Sequence, residues 1–220
     1  MNREDPAVRS GLGSPTAGPL ALVYEPVSGC AEGMVRIPAG GGHCLEGLSE
    51  FRVSRLLSAV LEVKPEIGWR LVLFGADVDA LGPEKREALR ARVAVLPSMG
   101  GLLSSLNAWE NMVLPLGMHR PLELPRATRG IHDCLGELGV PARDLLEKLP
   151  ESMTRYEKIL TAYVRIVLEQ PDLVLSENLH EGLDDQQRDV VARFPEVYEA
   201  RCPGGTFAVL RAVAPGSRDS

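Results

Sequence analysis

The segment Leu173–Asp185, LVLSENLHEGLDD, restricts the possible folds of this chain more than any other. Leu173, Val174 and Leu175 run directly into Ser176, Glu177 and Asn178, and a turn then leads to Gly182, Leu183 and Asp184. A short apolar run that stops at polar side chains predicts a buried strand delivering those side chains to a sheet edge. In open α/β sheets that edge is where ligands sit.

Composition sets the outer bounds. The 220 residues suit one domain, or a domain with a subdomain, and 45% of them are apolar, enough for a sizeable core. A net charge of −6 argues against a general nucleic-acid binder, so no nucleic-acid partner is expected. No apolar run approaches the roughly 20 residues that span a bilayer. Residues 1–19 are rich in Gly, Pro, Ser and charge and read as a flexible lead-in without the apolar core of a signal peptide. A cytoplasmic protein is expected, free or peripheral on the inner face of a membrane. Cys30, Cys44, Cys134 and Cys202 are scattered without CxxC spacing and read as reduced, packed thiols.

Strands are expected at Leu20–Val27 and Gly33–Pro38, then a turn at 39–42 and a short strand His43–Glu46. Adjacent residues on a strand face opposite ways, so His43 and Cys44 read as core or turn residues, not as a metal pair. Gly47–Leu57 follows a strand and opens an amphipathic helix, which is the context of a phosphate loop. The pattern G-x-x-x-x-G-K-S/T finds Gly47 and Ser54 in place, but Arg52 stands for the second glycine and Val53 for the lysine. Glycine lets backbone amides wrap a phosphate, and lysine brings charge to the terminal phosphates. Neither service is available from Val53, whereas the Arg52 guanidinium is an alternative cation.

Pro65–Asp77 predicts a turn, a strand and a second turn at Gly75–Asp77. Glu84–Arg92 reads as a charged helix and Val93–Leu96 as a buried strand. Then comes SMGGLLSSLNAWENMVLPL, residues 98–116. By local chemistry this is a helix cap, with Asn107 starting a helix, Glu110 in its first turn and Trp109 packed below. Helices are also expected over Ala127–Leu138 and Ala142–Lys148, and Leu160, Tyr163, Val164 and Val167 form an apolar stripe on a further one. Asp185–Arg193 reads as a polar helix and Gly205–Leu210 as the last strand.

The order and spacing of these segments resemble the ATP-binding subunits of ABC transporters. LVLSEN with the later Gly-Leu-Asp resembles the Walker B strand and D-loop, with Ser176 in place of the aspartate and Asn178 in place of the proline. Residues 98–116 resemble the Q-loop segment GGL-x-SSL-x-x-x-EN-x-x-x-PL, nearest to the Mla-type ATPases of phospholipid or solvent-related traffic, with Ser98 at the glutamine position. Counting back from Pro171 puts the LSGGQ signature on Met153–Glu157, where Arg155 and Tyr156 replace both glycines, and Arg165 falls at the arginine of the family's ARA. The last strand ends at Arg211-Ala212, not at the family's histidine.

The resemblance implies an α/β fold of the P-loop NTPase-like ABC ATPase type, a mixed sheet core with an inserted helical subdomain. The implied divisions are a core at 20–98 and 165–213, a helical part at 99–164 and a loose tail at 214–220. It implies Gly47, Arg52, Ser54, Ser98 and Ser176 as positions of an ATP/Mg site, Glu177 as a residual base, and Gly182, Leu183 and Asp184 as a D-loop. It also implies a groove for a permease helix bordered by Trp109, Met112, Leu114 and Met118, for which helix core is the competing use. With so many phosphate ligands replaced, no cofactor is expected, and ATP with magnesium if any nucleotide binds. The expected role is a pseudo-ATPase subunit on a membrane permease, with an intact or identical ABC ATPase subunit as dimer partner. A divergent active ATPase using Arg52 and Ser54, and a soluble regulatory scaffold, are the alternatives.

Overall fold

The computed structural model describes residues 18–28, 34–119 and 123–212, except the side chains of 118 and 119. The expectations for residues 1–17, Cys30, the Met118 side chain and the tail from 214 lie outside the described residues.

Among the described residues two four-stranded sheets form. β1 (Leu20–Pro26), β2 (Val35–Pro38), β4 (Trp69–Leu73) and β5 (Ala76–Asp77) make an antiparallel sheet in the order β2-β1-β4-β5. β3 (Gly41–Leu48), β6 (Val93–Leu96), β7 (Leu173–Glu177) and β8 (Thr206–Ala212) make a parallel sheet in the order β3-β8-β7-β6. Alternation along β7 explains how that sheet is covered. Leu173 and Leu175 face a cluster with Val53, Leu56 and Val60 of α1 (Glu50–Glu62) and with the antiparallel sheet. Val174 faces the other way, into a cluster with α3 (Ala108–His119), α4 (Leu124–Glu137), α5 (Arg155–Glu169) and α7 (Phe194–Arg201). The shorter α2 (Pro83–Arg90) precedes β6, and α6 (Asp185–Ala192) follows β7.

Three expectations are corrected. The strand after the 39–42 turn is longer than His43–Glu46 and reaches Leu48. Residues 142–148 form turns and no helix, because the carbonyls of Leu146 and Lys148 accept the amides of Trp109 and Ala108 at the start of α3. The expectation of a helix ending at Arg193 omitted α7, in which Phe194, Val197 and Tyr198 are buried.

Candidate functional site at the carboxyl edge of the parallel sheet

At the β3–α1 junction the expected phosphate loop is replaced by a single linking residue, Ser49. Its hydroxyl accepts a hydrogen bond from the Arg52 amide at 3.3 Å, capping α1. Gly47 belongs to β3, where its φ of +81° accompanies a break in register with β8. Arg52, Val53 and Ser54 all lie in the first turns of α1: Val53 is buried, Ser54 exposed and Arg52 in between. The reading of Gly47–Ser54 as a phosphate cradle is thus corrected, because a strand that passes directly into a capped helix leaves no loop to wrap a phosphate.

At the next strand ends, two of the expected site residues meet. Glu177 Oε2 accepts the backbone amide of Ser98 at 2.7 Å, joining the end of β7 to the loop after β6. Ser176 is fully buried, and its hydroxyl donates to the Glu177 carbonyl at 2.9 Å. The hydroxyl at the expected magnesium-ligand position is therefore used within its own strand.

The helix at the signature position begins near the same edge. Thr154 caps α5 by accepting the Glu157 amide at 3.2 Å, and Glu157 accepts the Thr154 amide at 2.8 Å. Lys148 Nζ holds the second Glu157 oxygen at 2.6 Å. Burial alone would raise the Glu157 carboxyl, but the Lys148 ammonium and the Thr154 amide together outweigh it and hold the group below the ordinary glutamate range. Asp184 closes α6 in the same way, exchanging hydrogen bonds with Gln187 at 2.9 and 3.3 Å. Helix N-termini are ready-made anion sites. Here a hydroxyl or carboxylate of the chain already occupies them.

Residues 155 and 156 of this helix approach the expected D-loop. Arg155 Nε donates to the Ser98 carbonyl at 3.2 Å. A Cβ added at Gly182 would lie 3.3 Å from Arg155 Nη1. Burial and then the charge of Asp184 push the Tyr156 phenol up. Leu183 is buried in the helical cluster, so of the three expected D-loop residues it serves as core.

The loop between β6 and α3 is closed by one side chain. Asn111, fully buried, accepts the Leu103 amide at 2.8 Å and donates to the carbonyls of Leu103, Leu106 and Asn107 at 3.1, 2.8 and 3.0 Å. Asn107 and Glu110 exchange hydrogen bonds at 2.8 and 2.9 Å, forming the expected cap. Met112 is fully buried, so its assignment to a partner groove is corrected to core. Trp109 packs on the same cluster and its indole donates to Thr128 Oγ1 at 3.1 Å. Leu114 does line a cleft of about 430 Å³ beside β6, with Leu61, Arg90, Val95, Pro115 and Arg165.

A second cavity, of about 330 Å³, opens at the carboxyl edge between β3, β8 and the α6–α7 corner. Phe207, Val209, Leu179 and Phe194 supply apolar walls, and Ser176, Glu177, His180 and Arg211 supply polar ones. Arg211, at the expected histidine position, pairs with Glu46 at 3.1 Å. Burial, then Arg211 and Arg188, hold His180 below the ordinary imidazole range.

The edge thus brings together Glu177, Ser98, Ser176 and, beside Arg155, Gly182, while Gly47, Arg52 and Ser54 stand at the β3–α1 junction. The position expected for a lysine is a buried valine, and the neighbouring helices are capped by the hydroxyls of Ser49 and Thr154 and the carboxylate of Asp184. Sequence reasoning missed Arg155 as an inward contact and Asn111 as a hub. The asparagine was visible beside Glu110, but its targets are backbone carbonyls that no residue pattern reveals.

No protein-family model matches the chain. It is 26% identical over 152 residues to the methionine import ATP-binding protein MetN 2 of Pseudomonas aeruginosa, covering 69% of this chain and 45% of that protein. It is 27% identical over 128 residues to the molybdate/tungstate import ATP-binding protein WtpC of Pyrococcus abyssi, covering 57% of this chain and 34% of that protein. These matches span less than half of either relative. Among solved structures, cbiO1 of Clostridium perfringens, part of the ABC transporter complex cbiONQ, superposes with a TM-score of 0.68 at 14% identity, covering 89% of this chain and 79% of that one. The dimeric post-hydrolysis ATP-binding cassette MJ0796 bound to ADP and Pi gives 0.65 at 16% identity, covering 88% and 87%. The fold is that of an ABC ATPase domain, α/β and P-loop NTPase-like, and the curated relatives are import ATP-binding proteins.

Proposed function

We propose that this chain, built on the ABC ATPase fold, is a pseudo-ATPase subunit of an ABC transporter. It couples or stabilises the complex on the cytoplasmic face of a membrane permease and pairs with an intact or identical ATP-binding subunit. The observation that carries the reading is the β3–α1 junction, where one capping residue stands in place of a phosphate loop. Phosphoryl transfer depends on positioning and charge neutralisation, so a base such as Glu177 does little without held phosphates.

The cleft beside β6 supports docking of a permease helix, since Leu114 and Pro115 line it together with the charged Arg90 and Glu87. Among the described residues no helix is long and apolar enough to cross a membrane, so a permease would supply the spans. The loop of residues 98–116 supports lipid traffic of the Mla type. The methionine and molybdate or tungstate in the relatives' names belong to those proteins and do not enter the proposal.

Calorimetry of the purified chain with Mg-ATP up to millimolar concentration tests the reading. No binding is expected. Micromolar binding would reject it and bring forward the divergent ATPase with Arg52 as the phosphate cation.

A further inference from the structure

Arg155 lies at the first of two positions that the resemblance fills with glycine, and it points into the chain. Its Nε donates to the Ser98 carbonyl at 3.2 Å. Its guanidinium lies against Gly182, which has a φ of +69° and would place a Cβ 3.3 Å from Nη1. The amide of the same Ser98 is held by Glu177. One side chain therefore bonds the first turn of α5 to the loop after β6 and packs against the turn at 182, with the end of β7 one hydrogen bond away.

The rest of α5 reinforces this arrangement. A Cβ at Gly100 would lie 2.7 Å from the Lys158 carbonyl oxygen, so the loop backbone rests directly on the helix. Arg165 then donates to the Gly101 carbonyl at 3.1 Å. From residue 155 to 165 the helix advances about 15 Å. Two arginines that far apart on the helix thus bond the two ends of loop 98–101, and Gly100 packs between them.

We propose that Arg155 is a clasp that holds loop 98–101, α5 and turn 178–184 as one unit without nucleotide, so the surface offered to a partner subunit does not depend on ATP. Only the last clause rests on the pseudo-ATPase reading; the clasp itself rests on geometry. Where the family positions a glycine, the substituted arginine supplies from within the chain a cation between the two segments.

Hydrogen exchange of the full chain, followed by mass spectrometry, tests the clasp. Arg155→Gln is expected to speed exchange in peptides covering 98–104 and 178–184 by roughly tenfold, with 206–212 unchanged. Arg155→Lys, which keeps charge but not the guanidinium fork, is expected to fall between. Unchanged exchange in both segments would overturn the clasp. Should Arg155→Gln not fold, Glu177→Ala serves instead: coupled segments predict faster exchange in both peptides, and acceleration confined to 98–104 would overturn the proposal. Exchange of the unsubstituted chain is expected to be the same with and without millimolar Mg-ATP. Slowing by Mg-ATP would overturn the nucleotide independence and leave the clasp standing, so the two failures are distinguishable.

Discussion

Glu177 and Ser98 lie 79 residues apart in sequence, yet the carboxylate of one accepts the backbone amide of the other at 2.7 Å. Hydrogen bonds to charged groups contribute about 1.5–3 kcal/mol. Glu177→Ala is therefore expected to lower the melting temperature by roughly 3–12 °C, at about 2–4 °C per kcal/mol for a chain of this size. Glu177→Gln keeps an acceptor and is expected to cost less. On the pseudo-ATPase reading neither variant changes Mg-ATP turnover, because there is none to lose. Measurable turnover that disappears in Glu177→Gln would place the divergent ATPase first.

The corrected assignment of Met112 separates core from surface on α3. Truncating a buried methionine costs about 2–5 kcal/mol. Met112→Ala is expected to show that loss in urea denaturation. Leu114 lines the open cleft beside β6, so Leu114→Ala is expected to cost less than half as much. If the cleft docks a permease, the Leu114 variant, not a refolded Met112 variant, is the one that loses co-purification with it. Equal destabilisation by both would refute the distinction.

What was legible here, and what was not, follows from the physics of each segment. Apolar runs such as Leu173–Leu175 and Val93–Leu96 predicted strands because burial on both faces leaves no other use for them. The Asn107–Glu110 cap was legible because both partners lie within one turn. The β3–α1 junction was misread: Gly47 and Ser54 matched a loop pattern, and only the backbone reveals that Ser49 already ends the strand and caps the helix. The burial of Met112 was illegible because α3 is apolar nearly all round, so its sequence does not mark the inward face. Arg155 stood out only as a replacement for a signature glycine, and its inward contacts were illegible because its partners are a distant carbonyl and a glycine.

Glu157 makes the stability of the helical part pH-dependent. Unfolded, its carboxyl titrates near the ordinary value of about 4.3; folded, it titrates lower because Lys148 and the Thr154 amide favour the charged form. The folded state thus binds protons less readily. Its contribution is fully present above the unfolded pKa and is lost as pH falls through the folded one. Glu157→Gln keeps the capping acceptor but not the charge. Between neutral pH and about pH 3 its melting temperature is expected to fall less steeply than that of the unsubstituted chain. Parallel curves would assign the acid sensitivity to other carboxylates.

The three thiols among the described residues are expected to react in a fixed order. Cys44 is exposed, although burial of its sulfur and the nearby Glu46 raise its pKa against the opposing charge of Arg211. Cys134 and Cys202 are buried, and burial pushes them up to about 12 and about 11. Since the thiolate is the nucleophile, a maleimide or disulfide reagent at about pH 8 should modify Cys44 before Cys134 and Cys202, and more slowly than free cysteine. Cys134 and Cys202 should wait for unfolding. Peptide-resolved mass spectrometry separates the sites, and early labelling of Cys134 would contradict the packing of α4 on α5 and α7.

Asn111 is the residue whose loss should cost most for its size. Its amide nitrogen serves three carbonyls and its oxygen serves one amide, all in the loop that precedes α3. Replacement by Leu removes these partners from a fully buried site and leaves the Leu103 amide and the Leu106 carbonyl without them, while the carbonyls of Leu103 and Asn107 keep the backbone amides of Leu106 and residue 111. A buried group left unpaired costs about 1–3 kcal/mol. Two groups share the loss, and the loop can recover part of it by opening to water. A destabilisation of about 3–5 kcal/mol is expected for Asn111→Leu. Asn111→Asp should be at least as damaging at neutral pH, because a carboxylate would face three carbonyl oxygens with no donor of its own, and it should recover on acidification as the carboxyl gains a proton to donate. Denaturation curves at two pH values check both variants. An Asp variant as stable as the unsubstituted chain at neutral pH would mean that Asn111 does not hold the loop.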